Sequence, residues 1–236
     1  MLKKELILQN PLRFMGHETD DILPEGGFGA VLARAGVGKT ALLVQLALNN
    51  LLRNKNVLHI SLDDPVKKVS LWYKEVFRHL TKSYDVKKIN QLWEALLPHR
   101  FIMTFKVEGF SVPKLEERLA DLKEQNIFSP QIVFIDGLPF NETVRMPLSD
   151  FKDLAKNHSL HVWFTVRTRR HEKPGPDGMP APLLDVADLF DVVIQLQPEG
   201  KEIHLKTLKG GPTDSDRTAL LLDPSTMLIT NNQKPA

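Results

Sequence analysis

The octapeptide Ala33-Arg34-Ala35-Gly36-Val37-Gly38-Lys39-Thr40 constrains this chain more than any other stretch. It joins two segments of different character. Gly29 to Ala33 is a short unbroken apolar run that reads as a buried strand, and Ala41 to Arg53 is long and leucine-rich enough for a helix. Strand, glycine turn, helix is the context of a phosphate-binding P-loop. Ala33 stands where that pattern usually has its first glycine, but the end of a strand is extended and does not require one. Backbone N–H groups around Gly36 and Gly38 can wrap phosphate oxygens, and the helix that follows directs its positive end at them. The candidate binding residues are Arg34, Ala35, Gly36, Val37, Gly38, Lys39, Thr40 and Ala41. Lys39 adds a mobile charge for β- and γ-phosphates, and Thr40 offers a hydroxyl to Mg²⁺.

Composition sets the frame for that site. At 236 residues and 42% hydrophobic content the chain is long and apolar enough for a packed core, and it reads as one domain over 1–236 with an extension at 1–20 and a frayed tail from 231. A net charge of +2 argues against a globally basic nucleic-acid binder, though not against a local patch. With no cysteine, thiol catalysis and thiolate metal sites are excluded. The start Met-Leu-Lys-Lys-Glu-Leu lacks the apolar core of a signal peptide, and the apolar run near Ala41–Leu52 is too short to span a bilayer, so a cytoplasmic protein without membrane contact is expected.

Further strands are expected at Val57–Leu62, Phe101–Val107, Gln131–Ile135, His161–Val166, Phe190–Leu196, Glu202–Leu208, Thr218–Leu222 and Met227–Thr230. Helical spacing covers Val66–Leu80, Val86–Leu97, a segment opened by Ser111-Val112-Pro113 with Leu115, Leu119 and Leu122 on one face, and Ser149–Asn157. Residues 168–182 hold four prolines and two glycines and read as a loop. Apolar strands alternating with helices predict an α/β fold with a mostly parallel sheet covered on both faces. The last strands have no helices between them and should pair antiparallel.

Ligands of such sheets bind beyond the carboxyl ends of the strands, and several polar residues fall there. Asp136 closes Ile132-Val133-Phe134-Ile135 and is placed to hold Mg²⁺ opposite Thr40; its alternative is a turn cap before Gly137. Asp63 and Asp64 close the second strand. One can orient or deprotonate an attacking water while the other caps the helix behind Pro65; Asp64 directly precedes the proline, which favours Asp63 as the base. Thr165 and Arg167 end the fifth core strand, where a polar side chain can touch a γ-phosphate, while Arg167, Arg169 and Arg170 read equally well as a solvated basic loop. None of the eight histidines has metal-ligand spacing.

Together these residues resemble a RecA-fold P-loop ATPase of the KaiC-like and DnaB/RadA-like branch, over about Asp20 to Thr213. The lead-in Asp20-Asp21-Ile22-Leu23-Pro24-Glu25-Gly26-Gly27 is similar to that family's approach to its first strand, and Ser61-Leu62-Asp63 resembles a strand end where the branch usually has a catalytic Glu. The resemblance implies ATP with Mg²⁺, a homo-oligomer (a hexamer among the options) assembled through the nucleotide site, and loops at Gly137–Pro147 and Thr168–Pro182 in the places that contact nucleic acid in some relatives. It also implies a Lys-x-Arg finger pair on the hairpin ending Leu205-Lys206-Thr207-Leu208-Lys209-Gly210-Gly211-Pro212-Thr213. Thr207 and Lys209 fall on those positions, so Lys209, or Lys206 beside it, would reach a neighbour's γ-phosphate. Expected catalytic residues are therefore Lys39, Asp63, Thr165 and Lys209, with Thr40 and Asp136 on the metal. The shorter Asp63 and the missing finger arginine motivate a second reading, a nucleotide-gated binding module with little turnover. The basic run from Arg167 to Lys173 motivates a third, a DNA-directed motor or recombination accessory.

Overall fold

The computed structural model describes residues 2–8, 22–169, 172–175, 177–210 and 220–231. Its strands are β1 (Phe28–Ala33), β2 (Val57–Ser61), β3 (Arg100–Thr104), β4 (Ile132–Asp136), β5 (His161–Arg167), β6 (Val192–Glu199), β7 (Glu202–Lys209), β8 (Leu220–Leu222) and β9 (Ile229–Asn231). Its helices are α1 (Leu2–Leu8), α2 (Lys39–Leu52), α3 (Val66–Leu80), α4 (Val86–Leu96), α5 (Val112–Glu124) and α6 (Arg145–Asn157). The strands form one sheet in the order β3-β2-β4-β5-β1-β6-β7-β8-β9. Pairing is parallel from β3 through β6 and antiparallel from β6 through β9. The expected α/β architecture with an antiparallel end is therefore observed.

The alternation of side chains along the strands divides the core into two layers. Val31, Val57, Ile132, Phe134 and Trp163 face α1, α2, α3 and α4, while Ala30, Leu58, Val133, Ile135 and Phe164 face α5 and α6. α2 is buried along nearly its whole length because it lies between the sheet and the outer helices α1 and α3. That position accounts for its uniformly apolar sequence. On the opposite layer Leu115, Leu119 and Leu122 are buried as their spacing predicts. Phe28, Phe151, Phe164 and Phe190 pack there edge-on or tilted, with ring centroids 5.0 to 5.8 Å apart. They fix the end of β5 that carries Thr165.

Several boundaries differ from expectation for physical reasons. β3 stops at Thr104 rather than Val107 because its one partner, β2, ends at Ser61, and Val107–Gly109 instead forms a 3-10 turn. α6 begins at Arg145, before Ser149, because Pro147 falls in the first turn, where a missing N–H costs no helical bond. β6 runs to Glu199 because the hairpin with β7 continues the ladder to Glu199 opposite Glu202. Met227 is not in a strand: it turns with φ +57° and donates its N–H to the Asp223 carbonyl. α1 was not anticipated, and of the strand expected at Thr218–Leu222 only Leu220–Leu222 lies within the described residues. Asp20, Asp21, Arg170 and the stretch 211–213 also lie outside them. No helix among the described residues is long and apolar enough to cross a membrane.

The β8–β9 hairpin packs its apolar residues into the same core layer as α2 and is also hydrogen-bonded to it through one side chain. Gln45 is buried; its Nε2 donates to the Met227 carbonyl at 2.7 Å, and its Oε1 accepts from the Ile229 N–H at 2.8 Å. A second buried polar contact lies deeper in the same layer. His59 on β2 is fully buried, its Nδ1 is 3.1 Å from the Tyr73 hydroxyl of α3, and its Nε2 has no partner among the described residues. Burial pushes the imidazole from its ordinary 6.5 down to about 4. A depressed pKa gives stability that is full above pH 6.5 and lost as pH falls towards 4, because the unfolded chain takes the proton first. The loss should reach about 3 kcal/mol at pH 4. Urea midpoints between pH 7 and 4 should fall more steeply for the wild type than for His59→Gln, and parallel slopes would contradict this.

Candidate functional site

The loop between β1 and α2 has the backbone a phosphate cradle needs. Gly36 and Gly38 sit at φ +77° and +112°, a region that disfavours side chains. A Cβ on Gly38 would also lie 2.5 Å from Leu222 Cδ2, so the β8–β9 hairpin closes one side of the loop. Gly38 is the N-cap of α2 and provides no side-chain cap. The first-turn N–H groups are therefore available to an anion. Arg34, Ala35 and Gly36 are exposed, Val37 through Thr40 are half-buried, and Ala41 is buried beneath them.

Lys39 folds back over the loop, and its Nζ donates to the carbonyls of Ala33 (3.1 Å) and Arg34 (3.0 Å). Burial lowers its pKa; Asp136 and Asp63 oppose that shift, and the neighbouring Arg167 charge adds to it. The cation is thus held beside the loop by two carbonyls that a phosphate can replace.

Asp136, at the end of β4, is gripped from both sides. Thr40 Oγ1 donates to one carboxylate oxygen at 2.8 Å and Thr165 Oγ1 to the other at 2.6 Å. Thr165 is buried and accepts the Gly137 N–H at 3.1 Å. The sheet order explains the arrangement: β5 lies between β1 and β4, so a hydroxyl from β5 can join the P-loop strand to the aspartate strand. Thr40, Asp136 and Thr165, far apart in sequence, form one hydrogen-bonded unit.

Asp63 follows β2 and lies against Gly137, where an added Cβ would be 2.7 Å from the Asp63 Oδ2. Gly137 also has φ +92°, so its lack of a side chain serves both its own conformation and the approach of Asp63. Burial, then the charges of Asp136 and Asp64, push the Asp63 carboxyl up, while Arg167 and Lys39 pull it down. Asp64 does not cap α3 as expected. The N-cap is Pro65, without a side-chain cap, and Asp64 instead accepts from Lys68 Nζ at 2.8 Å, one helical turn on. Its own N–H is taken by Ser61 Oγ at 2.9 Å, which turns its carboxylate towards α3.

Lys39, Thr40, Asp63, Asp136, Thr165 and Arg167 line one end of a cleft of about 1150 Å³. The segments 137–145 and 181–186 form the other walls. Arg145 joins those walls: it makes a two-pronged ion pair with Asp188 (2.8 Å on each arm) and donates to the Asp185 carbonyl. Lys209 and Lys206 are not part of this cleft. Lys209 Nζ donates to its own chain's Ala187 carbonyl at 2.8 Å, and Lys206 pairs with Glu199 at 2.7 Å. The structure therefore brings together the P-loop, Asp63, Asp136 and Thr165, and leaves the two hairpin lysines elsewhere on the chain. Sequence reasoning missed Gly137 as the residue that admits Asp63, although a strand end followed by glycine was visible. Gln45 carried no local signal, because its partners are some 180 residues away.

A family model described as an AAA domain matches residues 16–172 of this chain. The match runs from before β1 to beyond β5 and so contains the P-loop, Asp63, Asp136, Thr165 and Arg167, but not the β6–β9 strands. A comparison with curated proteins found no match. The conjunction of a P-loop, a hydroxyl-gripped strand-end aspartate and a mostly parallel α/β sheet agrees with that match, and the chain belongs to the AAA domain family of P-loop ATPases.

Proposed function

We propose that this protein is a Mg²⁺-dependent ATPase of the RecA type, in the KaiC-like manner its sequence resembles. The observation that carries the reading is the Asp136 carboxylate held between the Thr40 and Thr165 hydroxyls, with Asp63 beside it across Gly137. Thr40 and Asp136 are hard oxygen donors side by side at the P-loop, and they fit a metal that keeps most of its shell as water and phosphate. When bound there, Mg²⁺ would neutralise charge on the β- and γ-phosphates.

The chain's own groups do the rest. Loop N–H groups and the α2 N-terminus bind the phosphates. Lys39 exchanges the Ala33 and Arg34 carbonyls for phosphate oxygens. Asp63 orients a water towards the γ-phosphorus. The water oxygen bonds to that phosphorus as the bond to the β,γ-bridging oxygen breaks, ADP leaves, and the water's proton passes through Asp63 to solvent or phosphate. Thr165 holds Asp136 in place throughout.

Assembly through the nucleotide site is a separate proposal, since Lys209 would have to exchange the Ala187 carbonyl for a neighbour's phosphate. Phosphate release tests the principal reading. Turnover should saturate with ATP, fall at least tenfold in EDTA and return with added Mg²⁺. Release no faster than in buffer would refute hydrolysis and leave the nucleotide-gated binding module in its place.

A further inference from the structure

We propose that Arg167 is a catalytic residue that clamps the γ-phosphate within its own chain, supplying in cis the arginine that the stretch 205–213 lacks. This rests on the ATPase reading above. In P-loop ATPases an arginine that meets the γ-phosphate comes either from the same chain or from a partner. Here the stretch 205–213 offers only Lys206 and Lys209, point charges without the planar fork of an arginine, and both are engaged inside their own chain.

Three observations place Arg167 in that role. It is the last residue of β5, and its Cα pairs with that of Ala33, where the P-loop begins. It lies two residues beyond Thr165, so its side chain leaves the same face of the sheet as the hydroxyl that grips Asp136. Finally, four cations line the cleft among the described residues: Lys39, Arg145, Arg167 and Arg169. Lys39 holds two loop carbonyls, Arg145 is paired with Asp188, and Arg169 is paired with Glu172. Arg167 alone of the four makes no hydrogen bond or ion pair with a described residue. Its charge nevertheless acts on both Lys39 and Asp63, so it stands near the residues that would hold the phosphate and the water. Lys39 and Arg167 share the nearby carboxylate of Asp63, with Asp136 also acting on Lys39, and a triphosphate at the loop would present further anionic charge to both cations. Arg167 is itself exposed at the strand end, so its guanidinium is free to meet an incoming phosphate.

The test combines turnover with a readout independent of turnover. Wild type, Arg167→Ala and Arg167→Lys are compared for kcat, for ADP affinity by calorimetry, and for affinity for ADP with aluminium fluoride, a mimic of the transferring phosphoryl group, all with Mg²⁺ present. Arg167→Ala should lower kcat by about 100-fold or more and weaken aluminium fluoride binding to a comparable degree, with ADP affinity within about threefold because ADP has no γ-phosphate. Arg167→Lys should recover only part of the loss. Turnover per chain should stay constant as protein concentration is raised a hundredfold. Wild-type turnover in Arg167→Ala would overturn the inference and leave the ATPase reading standing. So would turnover per chain that rises with concentration and disappears in Lys209→Ala. A wild type with no turnover would overturn both.

Discussion

Replacing Lys39 by alanine is expected to weaken ATP binding by about 100-fold or more, the equivalent of roughly 3 kcal/mol for a charge-assisted contact with phosphate. The structure indicates why the loss should be specific. Among the described residues the Lys39 ammonium is bonded to the Ala33 and Arg34 carbonyls alone. Arg34 is exposed, so water can replace the lysine there, and the melting temperature should move by no more than a few degrees. The glycine backbone is untouched, so the cradle of N–H groups persists without its mobile charge. Calorimetric titration with ATP, together with a thermal melt of the same sample, separates the two effects. Unchanged ATP affinity in Lys39→Ala would remove the P-loop from the account.

The second large effect is on rate. Asp63→Asn keeps the size and hydrogen-bonding reach of the side chain but removes the carboxylate, and kcat should fall by about 100- to 1000-fold. ATP affinity should hold or tighten by a fewfold, because one negative charge near the phosphates disappears. Asp64→Asn is the control, since Asp64 is paired with Lys68 one turn along α3 and should lose less than twofold. A reversed outcome, with Asp64→Asn inactive and Asp63→Asn active, would exchange their roles. Full activity in both would leave the water without a carboxylate partner and return the base to an unidentified group.

The parts of the site that could be read in advance are those whose chemistry is local. The P-loop is contiguous, and Asp136 follows four apolar residues, so its place at the carboxyl end of a buried strand follows from hydrophobic patterning. The parallel order of the core follows from the alternation of strands and helices, and the antiparallel end from their absence after β6. What could not be read depends on contacts between distant segments. The place of Thr165 became a role only when β5 was seen between β1 and β4. The approach of Asp63 to Gly137 joins positions just beyond the ends of neighbouring strands, and the Ala187 partner of Lys209 depends on the pairing of β7 with β6, whose register shifts between Val193 and Ile194 of β6. Asp64 is the instructive error. Its position before Pro65 suggested a cap, yet Lys68 four residues on was an equally local signal for the ion pair that forms.

Calorimetry of the wild-type chain with an ATP analogue whose β,γ bridge cannot be hydrolysed tests the central claim most directly. With Mg²⁺ the account predicts one site per chain, a Kd of roughly 1 µM to 1 mM as is usual for substrate sites, and binding at least tenfold weaker in EDTA. Asp136→Asn should lose most of that metal dependence while keeping the metal-free affinity. No measurable binding at millimolar analogue, or binding that is the same with and without metal, would contradict it.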